Sequence, residues 1–134
     1  MENEANKILQ DVFGFSDFRV GQKDVINAIL GRKNTLTIMP TGAGKSLCFQ
    51  IPALLFKHQT IVVSPLVALM DDQVSGLKAL NISAERAHSG LDYSEKNEIW
   101  SDFLTNKIKI LYMSPEALMK ESTINQLKKI KIDM

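Results

Sequence analysis

Residues 39 to 46 read MPTGAGKS, which is the composition of a loop that holds phosphate groups. Gly42 and Gly44 allow the backbone to turn so that several N–H groups point into one small volume. Lys45 would reach the β- and γ-phosphates of a nucleotide, and the Ser46 hydroxyl would coordinate a Mg²⁺ ion bound to them. With Lys45 as the catalytic residue, we predict that this site for a nucleoside triphosphate is formed by Thr41, Gly42, Ala43, Gly44, Lys45, Ser46 and Leu47.

Met39 stands where the pattern G-x-x-x-x-G-K-[ST] has its first glycine. The departure leaves the prediction standing, because this residue can still belong to a preceding strand. The alternative is a glycine turn between a strand and a helix that contains Lys-Ser by chance. We disfavour this alternative because strand, loop, lysine, hydroxyl and helix follow one another in register.

The elements around the loop alternate between strands and helices. Apolar spacing predicts a helix over 5–13 and a second one that Gly31 ends in a left-handed conformation. TLTIM at 35–39 predicts a buried strand, and a helix should begin near Gly44 or Lys45 and be kinked or divided by Pro52. Further strands are predicted at 60–64, 83–87 and 108–113, with helices at 65–80, at 93–105 and from 115. This alternation predicts an α/β fold with a parallel sheet covered by helices.

Short polar residues mark the starts of the later helices. Ser64 and Ser114 each precede a proline and are predicted N-caps, and Asp92 has capping-box spacing to Glu95. For the helix at 65–80, the residues predicted to point inward are Leu66, Leu69, Val74, Leu77 and Leu80.

Length and composition fit one compact domain. The chain has 134 residues, of which 45% are hydrophobic, and a formal net charge of +1. This charge neither favours nor excludes a polyanionic partner. The one cysteine, Cys48, predicts a small core residue in a reducing compartment. Because no apolar run approaches about 18 residues and the start MENEANK is acidic, we expect a soluble cytoplasmic protein without a membrane partner.

Four segments, in this order, resemble motifs of the RecQ family of superfamily 2 DNA helicases. They are FGFSDFRVGQ at 13–22, MPTGAGKSLCFQIPALL at 39–55, VVSPLVALMDDQV at 62–74 and LYMSPEAL at 111–118. The resemblance implies a RecA-like P-loop NTPase domain, the cofactors ATP and Mg²⁺, and a part in ATP-dependent 3′-to-5′ unwinding of DNA during repair and recombination.

The first of these segments resembles the RecQ motif 0, which implies that Gln22 reads adenine and that Phe15 and Arg19 cover the two faces of the base. The chemistry agrees, since a glutamine amide matches the N6 and N7 edge of adenine. Aromatic rings and guanidinium groups also stack on purines. Phe13 and Phe18 are better interpreted as ordinary core aromatics.

Resemblance to motifs Ia, Ib and Ic implies contacts to single-stranded or partly duplex DNA. The residues concerned are Ser64, Pro65, Ser89, Gly90, Ser114 and Pro115. From the sequence alone Ser64 and Ser114 are helix caps, and both roles can coexist. Asp71 stands where this family commonly has lysine, so we expect it either to point away from the DNA or to lower the affinity.

The sequence contains no D-E-A-H segment, whose Asp and Glu serve Mg²⁺ and the attacking water in the family. We therefore expect residues 1–134 to be the N-terminal portion of the first RecA-like domain, incomplete at its C-terminus. Such a fragment would bind nucleotide and, weakly, DNA, without hydrolysis or unwinding. It would associate with itself or with the remainder of a helicase. Alternatives are a non-catalytic nucleotide- or partner-binding fragment and, less favoured, a small P-loop kinase, which needs a lid of arginines; the chain offers Arg19, Arg32 and Arg86.

Overall fold

The structure is a computed structural model that describes residues 2–40, 42, 44–87 and 91–134. Its contacts divide the chain into two compact units, residues 1–57 and 58–134. The prediction that residues 1–134 belong to one RecA-like domain stays a prediction.

Three helices form the first unit: α1 (Glu2–Asp11), α2 (Gln22–Leu30) and α3 (Leu47–Leu55). Both α1 and α2 pack against α3, and their apolar faces meet in a small core. The prediction of α1 and α2 is confirmed. Helix α3 begins slightly later than predicted and continues through Pro52 to Leu55, so the proline does not divide it. The core of this unit includes Ala5, Leu9, Ile26, Leu30, Ile51 and Ala53.

The segment 33–40 has no regular secondary structure, so the buried strand predicted at 35–39 is wrong. Leu36 and Ile38 are 90% and 91% exposed. A strand needs a neighbour to pair its backbone N–H and C=O groups, and the described residues of this unit contain no other strand.

The end of α2 also differs from the prediction. Gly31 has φ −77° and ψ 9°, and it is not left-handed. The positive φ falls one residue later, where Arg32 has φ 61°. The Gly31 N–H donates to Asn27 O at 2.9 Å, which continues the helical hydrogen bonding through the glycine and delays the turn to Arg32.

The second unit contains a parallel sheet of β1 (Thr60–Val63), β2 (Ala84–Ala87) and β3 (Ile110–Met113) in the order β1-β3-β2. All three strands were predicted. Every residue of the central strand β3 is buried, as parallel sheets covered on both faces require. On the other side of β1, Gln59 bridges to Ile132, and the Ile61 N–H donates to Met134 O at 2.8 Å.

Four helices accompany this sheet: α4 (Val67–Ala79), α5 (Tyr93–Leu104), α6 (Pro115–Leu118) and α7 (Glu121–Leu127). Helix α4 packs on β2 and β3, and α5 packs on β2. Leu111 and Met113 of β3 join Phe103 of α5 in one apolar cluster. Because side chains alternate along a strand, Ile110 and Tyr112 point to the opposite face. The predicted α/β fold with a parallel sheet flanked by helices is confirmed.

Two of the three predicted caps are confirmed. Ser114 Oγ accepts from the Ala117 N–H at 3.1 Å, and an Asp92 carboxylate oxygen accepts from the Glu95 N–H at 2.8 Å. Ser64 is not the N-cap of α4, because that helix begins later and Leu66 occupies the cap position. The Ser64 hydroxyl instead accepts from the Leu66 N–H at 3.2 Å within a turn.

The inward face of α4 differs in part from the predicted one. Val74 and Leu77 are buried as expected, together with Met70. Leu66, Leu69 and Leu80 are 60%, 44% and 40% exposed, so their assignment was wrong. Leu66 and Leu80 are the cap residues, outside the helix, and Leu69 lies one position from Met70, about 100° around the axis.

Candidate functional site

The two described glycines of the glycine-rich loop in the first unit both have positive φ. Gly42 and Gly44 have φ 82° and 76°, a region that glycine occupies without strain. A Cβ atom at Gly44 would also collide with Nε2 of Gln22. Glycine at position 44 is therefore favoured by its own backbone, and a larger residue there would have to displace the Gln22 amide.

Gln22 connects the segment before α2 to this loop. Its side chain is almost wholly buried, at 1% exposure. Oε1 accepts from the Arg19 N–H at 2.8 Å, and Nε2 donates to Gly44 O at 3.0 Å. The Arg19 guanidinium donates to Gly42 O as well. Two side chains of the predicted base-reading segment thus bond to carbonyl groups of the loop.

Met39, which replaces the first glycine of the usual pattern, also contacts this segment. A Cβ built on Gly21 would lie 3.1 Å from the Met39 methyl carbon, so the methionine side chain packs closely on the glycine. Gly21 itself has φ 88°. Met39 can lie this close because residue 21 is a glycine, which has no side chain in the space that the methionine methyl group occupies.

A small cavity of about 60 Å³ lies between the segment 13–22, the predicted base-reading segment, and the loop. The structure brings the predicted residues Phe15, Arg19 and Gln22 together with Gly44 and Leu47 around it. Phe15 is 49% exposed, so one part of its ring is open to a ligand. Sequence reasoning missed two lining residues, Leu9 and Asp17. Leu9 lies on the helix predicted from apolar spacing over 5–13, while Asp17 has no pattern that would have revealed it.

Lys45 and Ser46 precede the first residue of α3, Leu47. Lys45 is exposed, and Ser46 is half-buried with helical backbone angles and no side-chain bond that caps the helix. Helix N-termini favour anions. The predicted site residues Thr41 and Ala43 lie outside the described residues.

Cys48 lies directly behind this turn. Its side chain is buried, and its Sγ is 4.0 Å from Gly44 O. Burial raises the pKa of the Cys48 thiol above its ordinary value of 9.0, and a backbone hydrogen bond at Cys48 opposes the rise. The thiol is therefore neutral at pH 7 and behaves as the small core residue that was predicted.

The second unit has a larger groove at the carboxyl edge of its sheet, with a volume of about 480 Å³. Pro65 follows β1, Ala87 ends β2 and Ser114 follows β3, and all three line it. Of the predicted DNA contacts, the structure thus brings Pro65 and Ser114 to one groove. Ser64 and Pro115 are their chain neighbours, whereas Ser89 and Gly90 lie outside the described residues.

Asp71 forms an ion pair with Arg86, and this pair joins α4 to β2. Its carboxylate is therefore held by a partner on the sheet, while the expectation about its position relative to DNA stays a prediction. Arg86 also lies 3.4 Å from a carboxylate oxygen of Glu85.

Comparison with known proteins gives the class to which this fold and these sites belong. The family described as DEAD/DEAH box helicase matches residues 19–133. The chain belongs to the DEAD/DEAH box helicase family. Within the part of the chain that the structure describes, no helix is long and apolar enough to cross a membrane.

Similarity to individual proteins is more specific. The chain is 42% identical to "ATP-dependent DNA helicase RecQ" of Pasteurella multocida over 132 residues, covering 98% of this chain and 21% of that protein. For the protein of the same description from Synechocystis the identity is 42% over 126 residues, covering 94% and 26%. The resemblance to RecQ helicases is confirmed, and the chain spans about a fifth to a quarter of the length of these relatives.

A solved structure shows the same fold. It is described as a hypothetical ATP-dependent RNA helicase from Sulfolobus tokodaii, and it matches with a TM-score of 0.71 at 20% identity. The match covers 94% of this chain and 38% of that one. At this identity the likeness concerns the fold alone.

Proposed function

We propose that this chain is the nucleotide- and DNA-binding part of an ATP-dependent RecQ-type DNA helicase. The observation that carries the proposal is the contact between the base-reading segment and the glycine loop, in which Gln22 and Arg19 bond to the carbonyl groups of Gly44 and Gly42. The helicase family and the RecQ relatives support it. A role in repair and recombination belongs to the same proposal and is supported by the resemblance alone.

ATP binds through its phosphates at the turn before α3. Amide groups of Thr41, Gly42, Ala43 and Gly44 surround the phosphates, Lys45 neutralises their charge, and Leu47 begins the helix behind them. The glycines fit this role, because both have the positive φ that a phosphate cradle needs. Among the described residues no group of three His, Cys, Asp or Glu side chains is placed to hold a metal. Mg²⁺ would be held by the phosphates and the Ser46 hydroxyl.

Adenine binds at the cavity beside Gln22. A carbonyl oxygen has two lone pairs and an amide nitrogen has two hydrogens, so each end of the Gln22 amide keeps one position after bonding to Arg19 N and Gly44 O. These remaining positions match the N6 and N7 edge of adenine. Phe15 and the Arg19 guanidinium cover the two faces of the ring.

DNA binds at the carboxyl edge of the sheet through its backbone. Ser64, Pro65, Ser114 and Pro115 lie where strands end and backbone N–H groups become available, and Ser89 with Gly90 belong to the same proposed track. The Ser114 hydroxyl accepts from Ala117 N, which leaves its hydrogen for a phosphate oxygen.

Hydrolysis needs groups that these 134 residues lack, since they contain no D-E-A-H sequence. We therefore propose that the chain alone binds ATP without helicase-like turnover, and that Lys45 becomes catalytic when the remainder of a helicase completes the site. A phosphate-release assay on the purified chain, with and without single-stranded DNA, tests this. DNA-stimulated turnover at the rate of a complete helicase would contradict it.

A small nucleotide kinase needs a lid of arginines, and the contacts of the three arginines in this chain do not favour that function. Arg19 donates to Gly42 O, the Arg32 guanidinium lies 4.2 Å from the centre of the Phe56 ring, and Arg86 pairs with Asp71. Each therefore has an intramolecular role that a mobile lid would have to abandon.

Calorimetric titration with ATP and Mg²⁺ tests the nucleotide site. Lys45→Ala removes a charge-assisted contact to the phosphates, so we expect the Kd to rise roughly 10- to 150-fold. Lys33→Ala is the matched control, because Lys33 is another exposed lysine of the same unit outside the loop. Equal ATP affinity for the two variants would contradict the site.

A further inference from the structure

The groove of the second unit contains features that backbone contacts to DNA do not require. The sequence comparison with RecQ motifs pointed only to the strand ends, yet one wall of the groove is formed by helix α5 and another by α6 and α7. A volume of about 480 Å³ is within the range of about 300–1,000 Å³ that is usual for sites binding small molecules. Ligands of parallel α/β sheets characteristically bind beyond the carboxyl ends of the strands, which is where this groove lies.

Two aromatic side chains of α5 line the groove, Tyr93 and Trp100. Trp100 is half-buried, and its ring meets the wholly buried Phe103 edge to face, with centroids 6.0 Å apart and an interplanar angle of 77°. Phe103 thereby fixes the orientation of the indole. Tyr93 is 81% exposed at the first turn of the same helix. The two residues present a packed aromatic surface and an exposed one to the same volume.

The polar groups of the groove complement a nucleic-acid strand. Lys96 and Lys120 contribute two positive charges, against one negative charge from Glu116. Gln126 also lines the groove, and its Oε1 is buried without a hydrogen-bond partner among the described residues. An unpaired buried acceptor is unfavourable until a donor reaches it. Ring N–H and exocyclic amine groups of a nucleobase are such donors.

We propose that this groove binds an unstacked base of single-stranded DNA, which lies against Trp100 while Lys96 and Lys120 bind the adjoining phosphates. The inference depends on the proposed DNA-binding function and adds to it a site for a base. Stacking on an aromatic face tolerates every base, so this contact holds the strand without selecting a sequence.

Trp100 is the only tryptophan of the chain, so its fluorescence reports on the groove alone. The test titrates the 134-residue chain with end-labelled oligo(dT) of about 12 nucleotides and with an abasic strand of the same length. Label anisotropy measures binding, and indole emission measures stacking. We expect oligo(dT) to quench Trp100 and to bind roughly 5- to 150-fold more tightly than the abasic strand.

Substitutions separate the base from the phosphates. Trp100→Leu keeps apolar volume beside Phe103 but lacks a π-face, so it should weaken oligo(dT) binding by the same factor and leave abasic binding unchanged. Lys96→Gln should weaken both strands alike. Lys128→Gln, at an exposed lysine that does not line the groove, should change neither. Circular dichroism confirms that each variant is folded.

The outcomes distinguish this inference from the function on which it depends. Equal binding of both strands without quenching would overturn the base site and leave backbone binding intact. No anisotropy change with either strand would overturn DNA binding and the base site together. Trp100 emission that changes with protein concentration but not with DNA would assign the groove to a second copy of the chain and refute the proposal.

Discussion

Gln22→Ala is the substitution that best separates two roles of one side chain. In the structure the Gln22 amide bonds to Arg19 N and Gly44 O, so it fixes the glycine loop. In the proposed complex the same amide also reads adenine. The first role concerns every nucleotide with a triphosphate, and the second concerns ATP alone.

The magnitudes follow from the hydrogen bonds that are lost. Removing the amide leaves one backbone donor and one backbone acceptor without partners, at about 1 kcal/mol each because Arg19 and Gly44 are partly accessible to water. If most of this free-energy cost is felt as a looser glycine loop, the affinity for any triphosphate falls roughly 5- to 30-fold. Loss of the adenine contact adds about 1 kcal/mol for ATP, a further factor of roughly 5.

The assay measures Kd for ATP, GTP and inorganic tripolyphosphate, each with Mg²⁺. Gln22→Ala should weaken all three and lower the preference for ATP over GTP. Gln10→Ala is the matched control, because Gln10 also donates from its amide to a backbone carbonyl, Ser16 O at 3.1 Å, but does not line the cavity. An unchanged ATP-to-GTP ratio refutes base reading by Gln22. An unchanged tripolyphosphate Kd refutes its role in holding the loop.

Two further predictions concern stability. Gly44→Ala places a Cβ against Gln22 Nε2 at φ 76°, so urea unfolding should show a loss of about 1–3 kcal/mol. Gly76→Ala, inside α4 with open space at the Cβ position, should instead gain about 0.5–1 kcal/mol, and a loss at Gly76 would contradict this reasoning. The second prediction concerns pH: because burial raises the pKa of Cys48 in the folded chain, its stabilising contribution is complete below the ordinary value of 9.0 and is lost as the pH rises through the folded pKa. Denaturation curves between pH 8 and pH 10.5 should show this fall as a difference between the parent chain and Cys48→Ala, and identical pH profiles would refute it.

The parts of the fold that follow from neighbouring residues could be predicted from the sequence. Strands β1 and β3 appeared as short apolar runs, β2 as a strand between two predicted helices, and the caps Asp92 and Ser114 as single polar residues before a helix. The strand at 35–39 failed for a physical reason. Apolar and β-branched residues favour an extended chain, but a strand exists only where another strand pairs with it, and the sequence does not state where that partner lies.

The candidate site likewise contains residues that the sequence revealed and contacts that it did not reveal. The loop glycines with Lys45 and Ser46 were visible as a motif, and Phe15, Arg19 and Gln22 were visible through the resemblance to RecQ proteins. Three contacts were not visible: Met39 on Gly21, Asp17 in the small cavity, and Trp100 in the groove. Trp100 lies in the helix predicted at 93–105, but its contact with the groove depends on α6 and α7, which follow it in the chain.

The charged residues of β2 bear on how the second unit avoids aggregation. Among the described residues of that unit β2 pairs only with β3, and its middle residues, Glu85 and Arg86, form ion pairs with Lys78 and Asp71 of α4. A foreign strand that added to β2 would have to align beside these charges, which opposes fibril-like stacking. At the other side, Met134 O accepts from Ile61 N–H of β1, and Ile132 and Asp133 pair with Gln59 just before it. The two ion pairs that join β2 to α4 thus also oppose aggregation at this edge of the sheet.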